Sequence, residues 1–92
     1  MSAGSEMLLD AARIIKERGQ VYGSAKPNMA TTARLWSVVL NMEVTPQLVA
    51  LCLIQLKVAR LLVSPDHADS VIDIAGYSAV LAECQETAHD LG

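Results

Sequence analysis

Lys57 and Arg60 stand three residues apart, and Asp69, Asp73 and Tyr77 follow at four-residue steps. On helices each set lies along one face. Ser64-Pro65 between them predicts a short turn and an antiparallel helix pair. That arrangement brings Arg60 roughly level with Asp69 and Lys57 roughly level with Asp73. Charges placed within otherwise apolar sequence need a reason, and two are open. One is an internal ladder of ion pairs that fixes the register of the two helices. The other is the wall of a polar site, with cations for phosphate and carboxylates for a divalent metal or a ribose hydroxyl. The two are compatible, because a carboxylate that orients an arginine can leave it facing a ligand.

A second group is Arg18, Tyr22, Gly23, Lys26 and Asn28. Gln20 to Lys26 has no helical period and contains a glycine, which predicts a loop. Its plain reading is a connection, since Gly and Asn are ordinary turn and cap residues. Its functional reading is a nucleotide contact, because a tyrosine among cations is suited to stacking on a base. A helix starting at Pro27 also offers free backbone N–H groups to an anion.

Four helices must position these residues. The first is expected from about Ser5 to Arg18, with Leu8, Ala11, Ala12 and Ile15 on one face and Gly19 as its stop. The second opens at Pro27, carries Met29, Ala33, Trp36 and Leu40 as its apolar stripe, and ends near Asn41. Thr45-Pro46 is a cap residue followed by proline at the first helical position, and the third helix runs from there to about Leu62. The fourth begins between Ser64-Pro65 and Asp69 and continues to about His89. Gly76 in its interior costs about 1 kcal/mol relative to Ala, which predicts close approach of a neighbouring helix or a ligand. His67 and His89 are expected to face solvent.

The chain of 92 residues is one all-α domain at most, with its core over about residues 6–88. Apolar residues make up 52% of it while aromatics supply 3% and Phe is absent, so the core is aliphatic. The third helix is apolar around nearly its whole circumference, which one layer of helices in so short a chain cannot cover. A homo-oligomer is the expected solution. The net charge of −3 conceals an asymmetry: every Lys and Arg lies at or before Arg60, and Asp66, Asp69, Asp73, Glu83, Glu86 and Asp90 follow without a cation. A pI near 5.1 without a basic stripe argues against nucleic acid as a partner. Cys52 and Cys84 read as buried, reduced thiols in apolar helical segments, without metal-site spacing. The opening residues lack the pattern of a secretory signal, and the longest apolar run, Leu48 to Ile54, is well short of the about 18 residues of a membrane span. A cytoplasmic protein without membrane contact is expected.

The combination Arg18-x-x-x-Tyr22-Gly23-x-x-x-Pro27-Asn28, Leu35-Trp36, Val44-Thr45-Pro46, Leu56-Lys57-x-Ala59-Arg60-Leu61 and Asp69-Ser70-x-x-Asp73-Ile74-Ala75-Gly76-Tyr77 resembles a small family of phage and prophage proteins. The likeness covers about residues 6–84. That family is distantly similar to phage nucleotide-modification-associated domains and to MazG-like all-α nucleoside triphosphate pyrophosphohydrolases. The resemblance implies a MazG-like four-helix bundle completed by oligomerisation, handling nucleotides in the cytoplasm of an infected bacterial host.

The chain departs from the hydrolase pattern, in which four carboxylates on two helices hold Mg²⁺ against a triphosphate. Lys57 and Arg60 stand where acids are wanted, and Asp69 and Asp73 remain as the alternative metal pair. The expectation is therefore a binder of a nucleotide or nucleotide-derived small molecule that needs no cofactor. Lys26, Lys57 and Arg60 would meet phosphates, Tyr22 the base, and Asp69 or Asp73 the cations or a ribose, with Arg18, Asn28 and Tyr77 beside them. Binding without turnover would suit a sponge for a host defence signal. The alternatives are a reduced Mg²⁺-dependent pyrophosphohydrolase and a non-catalytic protein-interaction module.

Overall fold

The computed structural model describes residues 2–22 and 25–91, with side chains described for 2–20 and 25–85. Four helices follow in order: α1 (Ala3–Tyr22), α2 (Ala25–Leu40), α3 (Pro46–Val63) and α4 (Ala68–Leu91), with no strand among the described residues. The chain is all-α as expected, and the limits of α3 match the sequence signals.

The first two helices are longer than the sequence predicts. α1 continues through Gly19 to Tyr22, and α2 starts at Ala25, ahead of Pro27. Gln20, Tyr22 and Lys26 are therefore helical rather than parts of a loop. Gly23 lies outside the described residues, as does the side chain of Tyr22. One exposed Gly costs a helix only about 1 kcal/mol, which a turn on either side outweighs.

The remaining boundaries have clear local causes. α2 ends in a Schellman motif: Asn41 takes the left-handed conformation with φ 53°, and the Met42 N–H donates to the Ser37 carbonyl at 3.2 Å. Ser37 Oγ in turn accepts from the Val44 N–H at 2.9 Å and ties the connection back onto the helix. Thr45 caps α3, its hydroxyl accepting from the Leu48 N–H at 3.2 Å. The start of α4 is capped by a residue expected in solvent. His67 is half-buried, and its Nδ1 accepts from the Ser70 N–H at 3.2 Å and lies 2.7 Å from Ser70 Oγ. These bonds satisfy Ser70, which is fully buried.

α3 and α4 are joined by a short turn, and theirs is the most extensive interface in the molecule. α2 lies against α3 and more lightly against α4, whereas the extensive contact of α1 is with α4 alone. α4 thus meets three neighbours, which explains why its apolar residues do not gather on one face. The core is Met29, Ala33, Val44, Val49 and Cys84, with Trp36, Leu53 and Val80 packed against it. Trp36 is half-buried and packs against this core as its stripe predicts, whereas Leu40, the last residue of that stripe, is 56% exposed. Fully burying Val49 contributes roughly 1.5–3 kcal/mol.

The inward face of α1 is turned from the expected one. Leu8 is 59% exposed, and the residues that point inward are Ala11, Ile14 and Ile15, with Arg18 bordering the same side but exposed. α3, at 18 residues and mean hydropathy 1.6, is long and apolar enough to cross a membrane by length and composition, although its uninterrupted apolar runs are short. Here it packs along one side against α4 and α2, and its opposite side is exposed.

Candidate functional site

Because α1 leans on α4 without closing onto α2 and α3, the four helices border a cavity of about 580 Å³ that is partly open to solvent. α1 presents Ala11, Ile14, Ile15, Arg18 and Gly19 to it, one stripe at helical spacing. α4 presents Ile72, Asp73, Gly76, Tyr77, Val80 and Glu83 from the facing side. α2 closes one end with Ala25, Asn28 and Met29, and α3 contributes Leu53.

The walls are mostly aliphatic, and the polar atoms come from five residues: Arg18, Asn28, Asp73, Tyr77 and Glu83. Lys57 Nζ lies 3.0 Å from Asp73 Oδ2, so that carboxylate is already neutralised from the α3 side. Among the described residues Arg18 and Glu83 form no ion pair, and one cation and one carboxylate remain to meet a guest. This is the usual make-up of a small-molecule site, an apolar cleft with a few convergent polar groups.

Two glycines line the same space. A Cβ built on Gly19 or on Gly76 would meet no atom within 4 Å. No neighbouring helix therefore crowds Gly76, and the open cavity at its surface leaves room for a side chain there.

The residues picked from sequence divide into groups. Arg18, Asn28, Asp73 and Tyr77 come together in the cavity, and Lys57 stands behind Asp73. Arg60 and Asp69 do not join them. Both are exposed, no ion pair links them, and Arg60 lies at the α3–α4 turn in a second, shallower depression with Val63, Ser64 and His67. Only the Lys57–Asp73 rung of the expected ladder forms. Asp69 shares the helical face of Asp73 but lies one turn nearer the α3–α4 connection, outside the cavity lining. No group of three or more His, Cys, Asp or Glu side chains is placed to hold a metal among the described residues.

Lys26 is exposed in the first turn of α2, close enough to lower the pKa of the Cys84 thiol. Burial of Cys84 pushes that thiol up, the charge of Glu83 adds to the rise, and Lys26 opposes it. Glu83, Gly19 and Ile14 are cavity residues that the sequence reading missed. The signal for Glu83 was present, since Gly76, Val80 and Glu83 follow at steps of four and three along α4.

No solved structure matches the chain. Among curated proteins it is similar to the Gene 55 protein of Mycobacterium phage L5, with 43% identity over 81 residues, covering 86% of this chain and 52% of that protein. It is also similar to the Gene 55 protein of Mycobacterium phage D29, with 34% identity over 84 residues, covering 89% of this chain and 56% of that protein. The chain thus spans about half the length of these curated relatives. The model of a family described as a domain of unknown function, DUF6378, matches residues 6–85, and the chain belongs to that family of phage-related proteins.

Proposed function

We propose that this protein binds a nucleotide or nucleotide-derived small molecule in the cavity between α1 and α4. The observation that carries this reading is the cavity itself, about 580 Å³ in volume, with aliphatic walls and, among the described residues, one cation in its lining without an ion pair, Arg18. Its size falls in the range of small-molecule sites, about 300–1,000 Å³. Ile14, Ile15, Met29 and Val80 offer apolar surface to a base, and the Tyr77 ring an aromatic one. Arg18 offers a fork to a phosphate, and Asn28 and Glu83 offer hydrogen bonds to base edges or ribose hydroxyls. Asp73, held by Lys57, orients the site from the α3 side. Arg60 and Asp69 have no part in this version of the site.

Similarity to phage proteins supports a role inside an infected bacterial cell, where binding without turnover would remove a host signalling nucleotide. A second reading is a reduced MazG-like pyrophosphohydrolase. The geometry counts against it: Asp73 is already paired with Lys57 at 3.0 Å, and Glu83, the other carboxylate of the cavity wall, stands ten residues further along α4, about 15 Å up the helix.

A thermal-shift screen of nucleosides and of mono-, di-, tri- and cyclic nucleotides, with and without Mg²⁺, tests both. The sponge reading expects a shift that persists in EDTA and disappears in Arg18→Ala but not in Arg60→Ala. Pyrophosphate release that requires Mg²⁺ would favour the enzyme. No shift with any compound would leave a protein-interaction module.

A further inference from the structure

The exposed side of α3 carries a pattern of its own. Leu48, Leu51, Gln55, Val58 and Leu62 follow at steps of three, four, three and four, the a/d spacing of a coiled-coil seam. All five are exposed, Leu62 by 81%. Cys52 and Ala59, small and also exposed, flank the seam. The residues that α3 buries or turns to the cavity, Val49, Ala50, Leu53 and Lys57, lie on its other side. No charged side chain interrupts the seam, so the overall charge of −3 does not set like charges against each other there.

The surface area says how much cover is wanted. The chain exposes 6522 Å², whereas a folded monomer of 9.8 kDa exposes about 5,200 Å². The excess of roughly 1,300 Å² is larger than the about 800 Å² that each partner gives to a standard interface. The radius of gyration tells the same story, at 14.3 Å against about 12 Å for a compact domain of this length.

We propose that the Leu48–Leu62 seam of α3 is a two-fold interface with a second copy of this chain. Gln55 lies midway between the two leucines, and a two-fold axis there sets one Gln55 amide against the other. A lone polar residue in such a seam fixes register and oligomer number at some cost in stability. That residue is also why a second copy suits this face better than lipid, which offers the amide no partner. The two cavities face away from the interface, and ligand binding does not depend on it.

Light scattering on the purified chain across a concentration series is the test. The wild type is expected at twice 9.8 kDa at high concentration. Leu51→Glu with Leu62→Glu is expected at the monomer mass, with its helical circular dichroism retained. Should that variant fail to fold, the wild-type Cys52 thiol gives the answer. Cys52 is exposed in the protomer and Cys84 is buried, so the rate of maleimide labelling at Cys52 should fall as the dimer forms. A monomer mass throughout, labelling that does not change with concentration, or a dimer that survives the double substitution would each overturn the proposal. So would flotation of the wild type with phosphatidylcholine vesicles that the same substitutions abolish.

Discussion

Lys57 Nζ and Asp73 Oδ2 lie 3.0 Å apart, joining α3 to α4, and each side chain keeps about a quarter of its surface in water, at 23% and 26%. The pair therefore stands between the exposed kind, worth under about 1 kcal/mol, and the buried kind, whose disruption costs about 3–5 kcal/mol. Asp73→Ala is expected to destabilise the fold by about 1–3 kcal/mol, because Lys57 is left half-buried without its partner. Arg60→Ala, which breaks no ion pair, should cost less than about 1 kcal/mol. Urea denaturation of the two variants should separate their midpoints at unchanged slope, and equal midpoints would contradict the asymmetry.

The two capping side chains should matter to similar extents, although their residue types differ. Thr45 and His67 each accept a hydrogen bond from the backbone N–H three residues on, at 3.2 Å in both cases. Thr45→Ala and His67→Ala are expected to cost about 0.5–2 kcal/mol each. The His67 variant should lie at the upper end, since it also deprives the buried Ser70 hydroxyl of its partner. Thermal unfolding by circular dichroism measures both, and a neutral His67→Ala would remove the histidine from the cap.

Much of this fold was written in local signals. Thr45-Pro46 marked the start of α3, Asn41 the end of α2, and the spacing of Lys57 and Asp73 around a short turn gave the one ion pair between these helices. The differences have separate physical causes. Gly19 and Pro27 were read as boundaries, but neither stops the backbone from extending a helix when the flanking residues continue it. The inward face of α1 could not be read because Leu8, Leu9, Ala11, Ala12, Ile14 and Ile15 offer two overlapping apolar stripes, and only contact with α4 chooses between them. Arg60 and Asp69 shared the right helical faces with Lys57 and Asp73, and height along the axis excluded them. Glu83 breaks the four-residue spacing of Asp69, Asp73 and Tyr77, and the cavity runs a further turn and a half along α4 to reach it.

Alkaline pH should loosen the core through Cys84. Burial and the Glu83 charge raise its thiol above the ordinary value near 9 in spite of Lys26. Between the ordinary and the raised value the folded chain holds a proton that the unfolded chain has released, so stability falls as pH rises. The contribution is fully present below about pH 9 and is lost as pH passes through the folded-state value. Melting temperatures compared from about pH 8 to about pH 10 should decline less steeply in Cys84→Ala than in the wild type. Glu83→Gln should give an intermediate slope, because it removes the second cause of the rise. Parallel slopes in all three proteins would locate the pH dependence elsewhere.

Gly76 offers a way to separate the stability of the fold from the capacity of the cavity. It sits within α4, where Ala is favoured over Gly by about 1 kcal/mol, and an added Cβ meets no atom within 4 Å. Gly76→Ala is thus expected to stabilise the protein, raising its melting temperature by about 4–8 °C for each kcal/mol gained in a domain of this size. The same methyl group projects into the cavity between Asp73 and Val80, one turn along α4 on either side, and takes up space that a ligand would fill. A larger substitution makes the contrast sharper: Gly76→Leu should retain the helical spectrum while abolishing the thermal shift produced by whichever nucleotide the screen identifies. Gly19→Ala, on the facing wall, should behave as the milder counterpart of Gly76→Ala. If Gly76→Leu bound that nucleotide as well as the wild type does, the ligand would have to sit outside this cavity, whatever the fate of the α3 interface.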